Sequence, residues 1–342
     1  MAVGPRSEVA AVRINLALQG GGAHGAFTWG VLDRLLEEPG LEVAGISGTS
    51  AGALNGAALK SGWLTDGCEG ARENLDWLWR QMGAIDSPVF PQWMGLGQFS
   101  SALEASLPYL WAESWERLVS PYASGPFYAN PLRRVAERFD FERVCAAEGP
   151  VLYVGATNVR TGKIRVFEGE DITTDSLLAS ACLPSLFRAV EIDGEAYWDG
   201  GYTGNPALYP LFNETLPSDI VIVNINPLER DDVPKTPQDI RNRINEISFN
   251  SSLLRELRAI AFVQRLLDQG AVDEGAMKRV HVHMIADDAL MNELSVATKI
   301  VPLPEVMARL KAAGRAAADT FLAAHGDDLG RRSSVGLPAL YG

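Results

Sequence analysis

The stretch that most constrains this chain is Gly48-Thr49-Ser50-Ala51-Gly52, five small residues placed where an apolar run at 43–46 gives way to an alanine-rich, helix-forming run. A GxSxG pentapeptide at a strand-to-helix junction imposes a sharp bend that only small neighbours permit, and the bend pushes the central side chain into the open. A helix beginning at Ala51 aims its N-terminal dipole at Ser50, which favours the negative charge that develops there during acyl transfer. On its own the pattern is equally an ordinary strand-to-helix turn. Its neighbours decide between the two.

Upstream, residues 12–18 read Val-Arg-Ile-Asn-Leu-Ala-Leu, a short β-rich run suited to a central strand. Gln19-Gly20-Gly21-Gly22-Ala23-His24-Gly25 follows at once and leads into Phe27, Val31, Leu32, Leu35 and Leu36 at helical spacing, with Pro39-Gly40 as the stop. The chain therefore opens strand, glycine loop, helix, strand, serine turn, helix. That order implies parallel neighbouring strands with helices on the faces, and it brings the glycine loop and Ser50 to one edge of the sheet. Gly20 to Gly25 also fits GxGxxG, but a dinucleotide site needs an acidic residue after the second strand. Ser47-Gly48-Thr49-Ser50 stands there instead, and no GK[ST] completes a phosphate loop. The competing use of consecutive glycines is an oxyanion hole, with backbone N–H groups facing a tetrahedral intermediate; the bland alternative is a plain glycine turn.

The spacing predicts a helix over 51–60 packed closely on the sheet. Beyond it, six of the eight tryptophans fall in one window, at Trp63, Trp77, Trp79, Trp93, Trp111 and Trp115. With Phe90, Phe99 and Tyr109 among them and Pro88, Pro91 and Pro108 breaking the run, 64–125 reads as an inserted, Trp-rich cap over the site. For any one of these rings, a place in the cap's own core is a commoner fate than an acyl pocket or a lipid contact. Further on, 151–159 and 163–167 read as strands and 173–182 as a small-residue helix. Apolar residues at 189–192 and 195–198 flank Asp193-Gly194, a two-residue hairpin signal, and the return strand ends in Asp199-Gly200-Gly201. A strand at 219–226, a long helix or a pair of helices over 239–269, a strand at 278–285 and a helix at 304–324 complete the pattern. Arg241, Arg243, Arg255, Arg258 and Arg265 make the long helix slightly basic. It is able to rest on anionic lipid, although a solvated outer face is the commoner reading.

The net charge of −13 argues against a nucleic-acid partner, since phosphate recognition needs a basic field. Cys68, Cys145 and Cys182 are an odd, widely spaced set without metal-ligand spacing, as expected of incidental thiols in a reducing compartment. Residues 1–10 lack the apolar core of a leader peptide, and no run approaches the roughly 18 apolar residues of a spanning helix. These features point to the cytoplasm, with peripheral contact at the inner membrane surface as the membrane role that remains.

A serine needs a base to take its proton. Of the four histidines, His24 lies in the glycine loop, His281 and His283 alternate along a strand, and His325 stands near the end. A triad of Ser50, Asp199 and His283 is possible in chain order, but a triad histidine is normally presented on a loop. Four motifs in sequence carry a resemblance: Gly20-Gly-Gly-Ala-His-Gly25, Gly48-Thr-Ser-Ala-Gly52, Ala179-Ser-Ala-Cys-Leu-Pro184 and Asp199-Gly-Gly201. Together, over about 12–225, they resemble the patatin-like phospholipase family. The resemblance implies a three-layer α/β/α sandwich with a mostly parallel central sheet and a Ser-Asp dyad without histidine. It makes Ser50 the nucleophile, Asp199 the base and Gly20, Gly21 and Gly22 the oxyanion hole. Ala23, His24, Gly25, Gly48, Thr49, Ala51, Gly52, Gly200 and Gly201 are the supporting motif positions. His24 departs from the pattern by standing where many members carry arginine.

The expected organisation is a flexible leader at 1–11, a hydrolase domain at 12–325 holding the cap at 64–125 and a helical extension at 228–325, and a polar tail at 326–342. The expected activity is lipid acyl ester hydrolysis through an acyl-enzyme on Ser50, with no cofactor and no metal. A non-catalytic lipid-binding or regulatory protein, a thioesterase and a polyester depolymerase are the alternatives.

Overall fold

The structure is a computed structural model describing residues 11–83, 120–123, 128–230, 233–273 and 275–341. Its strands are β1 (Val12–Leu18), β2 (Leu41–Thr49), β3 (Val151–Asn158), β4 (Ile164–Glu168), β5 (Val190–Ile192), β6 (Glu195–Asp199), β7 (Asp219–Val223) and β8 (His281–Ile285). They form one eight-stranded sheet in the order β5-β6-β3-β2-β1-β7-β8, with β4 also paired to β3. The five strands from β3 to β8 in that order are mutually parallel, whereas β4 and β6 run antiparallel to β3. Near-continuous apolar runs such as Asp-Ile-Val-Ile-Val in β7 follow from burial on both faces.

The period of two sorts these residues between layers. Ile14, Leu16, Leu18, Val221 and Val223 face one core, while Ala17, Ile220 and Ile222 face the other. The first core is closed by α1 (Gly25–Leu35), α2 (Ala51–Gly83) and a later helix, Pro304–His325. Asp33 of α1, buried, accepts hydrogen bonds from Arg72 of α2 and Arg315 of Pro304–His325, tying the three together. The second core is closed by helices Pro237–Asp268 and Leu337–Tyr341, through Leu253, Leu257, Ile260 and Leu337. Three layers with a mostly parallel sheet are thus as expected. In chain order the remaining labels are α3 for Thr174–Ser180, α4 for Pro237–Asp268, α5 for Val296–Ile300, α6 for Pro304–His325 and α7 for Leu337–Tyr341.

One expectation needs correcting. The helix anticipated over 51–60 continues as α2 to Gly83, across a kink at Asp66 and Gly67, so 64–83 belongs to the core layer and is no part of a Trp-rich cap. Trp79 is buried there, its Nε1 donating to Asn55 Oδ1 at 2.9 Å, and Trp77 packs edge-on against Phe139. Trp93, Trp111 and Trp115 lie outside the described residues. Residues 326–341 fold back onto the domain: Leu329 and Leu337 are buried, and Gly330 N–H donates to Asp219.

The sheet register positions the site. β2 pairs with β3 as far as Thr49 opposite Gly155, and β6 pairs with β3 from Asp199 opposite Ala156. β4 occupies the other edge of β3 over Tyr153 to Thr157, so β2 and β6 must share one edge and run toward each other. Their ends meet at Gly155 and Ala156, bringing Ser50 and Asp199 together from positions 149 residues apart in sequence (199 − 50).

α1 and α6 cross so closely that a Cβ at Gly30 would strike the Lys311 carbonyl and one at Gly314 the Phe27 carbonyl. Gly314→Val is expected to lower unfolding stability by about 1–3 kcal/mol in denaturant titrations, since overpacking against backbone has no easy relief. Gly326→Ala, with nothing within 4 Å of its Cβ position, is the control and should stay within about 0.5 kcal/mol.

Candidate active site

β2 ends at Thr49, and Ser50 takes φ 55°, a left-handed conformation that costs a residue other than glycine about 1–3 kcal/mol. Its neighbours explain why the bend forms at all. A Cβ at Gly48 would lie 2.6 Å from the Gly52 carbonyl oxygen and 2.7 Å from Ala53 N, and one at Gly52 would meet the Leu18 carbonyl. Hydrogen bonds hold the turn on both sides. Ser47 Oγ donates to Ala207 O at 2.6 Å and Thr49 Oγ1 to Gly204 O at 2.7 Å. Ser50 N–H donates to Ser180 Oγ at 2.8 Å, and that hydroxyl donates on to Gly155 O at 2.6 Å. Ser180 ends α3, so the Ala179-to-Pro184 motif acts by fastening the serine turn to β3.

Asp199 is 2 % exposed, stands beside the Ser50 hydroxyl and accepts a hydrogen bond from Gly201 N–H at 2.7 Å. Burial pushes its carboxyl up to about 7, and these two groups only partly offset the loss of water. Gly200 is required by contact, because a Cβ there would strike the Gly155 carbonyl. The backbone of Asp199 is fixed by its N–H to Cys182 O at 2.8 Å and by Thr157 Oγ1 to its carbonyl at 2.8 Å. The Cys182 thiol, buried beside this carboxyl, is pushed up to about 12 by desolvation and then by the charge of Asp199, which leaves it inert as a nucleophile.

The glycine loop lies against the serine: a Cβ at Gly20 would sit 2.8 Å from Ser50 Cβ. Gly20 N–H is already spent on Asn205 Oδ1 at 2.7 Å, and its carbonyl accepts from Asn226 Nδ2 at 2.8 Å. Gly21 and Gly22 line the same cavity as Ser50, and among the described residues their N–H groups have no partner. Gly22 holds φ 57° against the Lys299 carbonyl. Behind the loop, Gln19 Oε1 accepts from Ile225 N–H at 2.9 Å and Asn226 N–H at 3.0 Å, locking the loop to the segment after β7. Gly25 packs its backbone on Ala51, so α1 and α2 start side by side. Ala23 and His24 are buried; His24 Nε2 is 2.8 Å from Thr298 Oγ1 of α5. Burial holds His24 well below its ordinary range, with Lys299 and Arg230 adding to the effect, so the ring is neutral.

The other histidines are committed elsewhere. His283 is fully buried, with Nε2 3.0 Å from Asp219 Oδ1 and Nδ1 3.1 Å from Ser334 Oγ, and no histidine is among the residues lining the Ser50 cavity. His325 pairs with Asp328 at 2.9 Å. Among the described residues no group of three or more His, Cys, Asp or Glu is placed to hold a metal ion, and no helix is long and apolar enough to cross a membrane.

Ser50 and Asp199 open onto a cavity of about 630 Å³. Leu54, Leu78, Trp79, Met82, Leu132, Leu183, Leu186 and Phe187 supply apolar lining, while Asn226, Asn242, Asn245, Glu246 and Lys299 supply polar lining. Sequence reading missed Gln19, Asn205 and Asn226, and had Ser180 only as a position within its motif. All are single polar residues whose partners are distant in sequence; the only cue was that Gln19 and Asn226 each sit where an apolar strand run stops.

A sequence profile described as "Patatin-like phospholipase" matches residues 16–212. No curated protein matches the sequence. Among solved structures, the chain is similar to VipD from Legionella pneumophila, with 15 % identity and a TM-score of 0.42 over 91 % of this chain and 67 % of that one. It is also similar to the heterodimeric complex ExoU-SpcU from the type III secretion system of Pseudomonas aeruginosa, with 18 % identity and a TM-score of 0.30 over 97 % of this chain and 74 % of that one.

The raised carboxyl has a consequence for stability. Between an unfolded Asp near 3.8 and the folded value of about 7, the native state holds a proton that the unfolded chain has lost. Stability from this group is therefore fully present at low pH and is lost as pH rises through about 7. Asp199→Asn should raise the melting temperature at pH 8 by clearly more than at pH 5; an equal shift at both would contradict the buried, proton-holding carboxyl.

Proposed function

The chain belongs to the patatin-like phospholipase family, and from that premise we propose that it cleaves lipid carboxylic esters with Ser50 as nucleophile and Asp199 as base. Family membership carries a lipid-hydrolysing activity of the serine-hydrolase type. The observation that supports this pair is the Ser50 hydroxyl beside a buried carboxyl pushed up to about 7. A base so placed takes a proton far better than a solvated aspartate would.

In the first step Asp199 accepts the Ser50 proton as Oγ attacks the ester carbonyl, and the carbonyl electron pair moves onto oxygen. Gly21 and Gly22 N–H groups stabilise that oxyanion, and Gly20 serves by shape, its own N–H being held by Asn205. Collapse of the intermediate expels the alcohol, which takes the proton from Asp199 and leaves Ser50 acylated. Water then enters, gives its proton to Asp199, and adds to the acyl carbonyl; collapse returns the proton to Ser50 and releases the acid. Preorganised donors and the dipole at the start of α2 act where charge develops and need no rearrangement. Leu54, Leu78, Trp79 and Met82 of α2, with Leu183, Leu186 and Phe187, give the cavity an apolar lining for an acyl chain, and lipid reaching it from a membrane surface would need only peripheral contact.

A lipid-binding protein without turnover would use the same cavity. It would have no need of a strained serine or of a buried carboxyl, each of which opposes folding, so catalysis is the better reading. Thioester and polyester substrates share the chemistry and are separated by substrate profiling.

A fluorophosphonate probe should label Ser50 and leave Ser50→Ala unmodified, as read by peptide mass. Asp199→Asn should lower kcat/KM by about 10²–10⁴-fold, the range for removal of a positioned base. The base acts ionised, so kcat/KM should rise with pH to a plateau, with its midpoint near 7. A midpoint near 4, or full activity in Asp199→Asn, would remove Asp199 from the mechanism.

A further inference from the structure

One end of the cavity carries charge that ester hydrolysis does not use. Lys299, in α5, lines it with Asn226, Asn242, Asn245 and Glu246. The Lys299 side chain is 17 % exposed; its Nζ donates to Asn226 Oδ1 at 3.1 Å and stands 3.8 Å from Glu246 Oε1. Glu246 does not belong to Lys299 alone. Arg230 grips both its oxygens at 2.9 and 2.6 Å, and Arg243 adds a contact at 3.3 Å. Among the described residues three cations thus share one carboxylate, a formal charge of +2 (3 − 1) inside a chain of −13. An ammonium out of most water and without a carboxylate of its own is unfavourable until an anion completes it.

The cluster is also close to the reacting centre. Asn226 joins the two, its Nδ2 donating to the Gly20 carbonyl and its Oδ1 accepting from Lys299, and the Lys299 carbonyl packs on Gly22. Other lining residues, Leu78, Trp79 and Leu186 among them, are apolar. An amphiphile with an acyl chain on one side of its ester and an anion a few bonds away on the other matches this polarity.

Resting on the hydrolytic reading of Ser50, we propose that the Lys299 end of the cavity is an anion subsite that takes a phosphate group, and that it makes the enzyme prefer headgroups of net negative charge. Zwitterionic headgroups gain less, because the carboxylate that would meet their cation is already held by two arginines.

The test compares kcat/KM for phosphatidylglycerol and phosphatidylcholine of identical acyl chains, in neutral-detergent mixed micelles at fixed surface dilution. The wild-type ratio should favour phosphatidylglycerol by about 10-fold or more, the range for a charge-assisted hydrogen bond. It should collapse toward unity in Lys299→Met and be restored within about 3-fold in Lys299→Arg, which keeps the charge. A ratio that is the same in wild type and Lys299→Met overturns the proposal. Thermal shift of Ser50→Ala, with Lys299 intact, against inorganic phosphate, dodecyl phosphate and a neutral dodecyl detergent reads the subsite without turnover. A shift with dodecyl phosphate beyond that of the neutral detergent supports the subsite, and an equal shift with inorganic phosphate identifies free phosphate as a second source. No excess shift with either phosphate overturns it. If the fluorophosphonate fails to label Ser50 while the phosphate shift persists, the hydrolytic reading falls and the anion subsite stands; ester turnover without headgroup preference gives the reverse.

Discussion

Everything at the site depends on two strands sharing one edge of β3. β2 comes up that edge to Thr49, β6 comes down it to Asp199, and the register leaves no residue between their partners, Gly155 and Ala156. Ladder hydrogen bonds therefore fix the separation of Ser50 and Asp199 to the precision of a sheet, which loops rarely reach. The glycines around the junction follow from that geometry. Gly48, Gly52 and Gly200 stand where strand ends and a helix start crowd one another and backbone atoms fill the space a side chain would take.

The same arrangement shows where stability is given up. Ser50 is held at a positive φ and Asp199 is kept from water, and both oppose folding. Several hydrogen bonds through otherwise inactive residues offset this: Ser47, Thr49 and Ser180 clamp the turn, and Thr157 and Cys182 clamp the aspartate backbone. Asp33, bridging three helices on the face that bears α2, holds the layer behind Ser50.

Much of this was legible in the sequence because it rests on local rules. Period-two and period-3.6 patterning gave the strands and most helices, Asp193-Gly194 marked its hairpin, with both residues at positive φ, and GxSxG marked the strained turn. Two kinds of feature were not legible. The extent of α2 was masked by the tryptophans and prolines beyond residue 60, which read as an inserted cap; Gly62 and Gly70 are forced by close contact between the two halves of that kinked helix. The polar network of Gln19, Asn205, Asn226 and Asn250 was invisible because each partner is more than 180 residues away or lies on another element, and no spacing records such a pairing. That network also holds the Gly20 N–H on Asn205, where consecutive glycines had suggested backbone N–H groups facing inward.

α4 divides its work along its length. Asn242, Asn245, Glu246 and Phe249 form part of the cavity wall, whereas Leu253, Leu257 and Ile260, one to three turns later, close the second core. Cavity lining and structural integrity are thus assigned to successive halves of one rod. Drift in the first half can reshape what the enzyme accepts while the second half keeps the rod in place, so the fold offers its descendants new specificities without asking them to rebuild the scaffold.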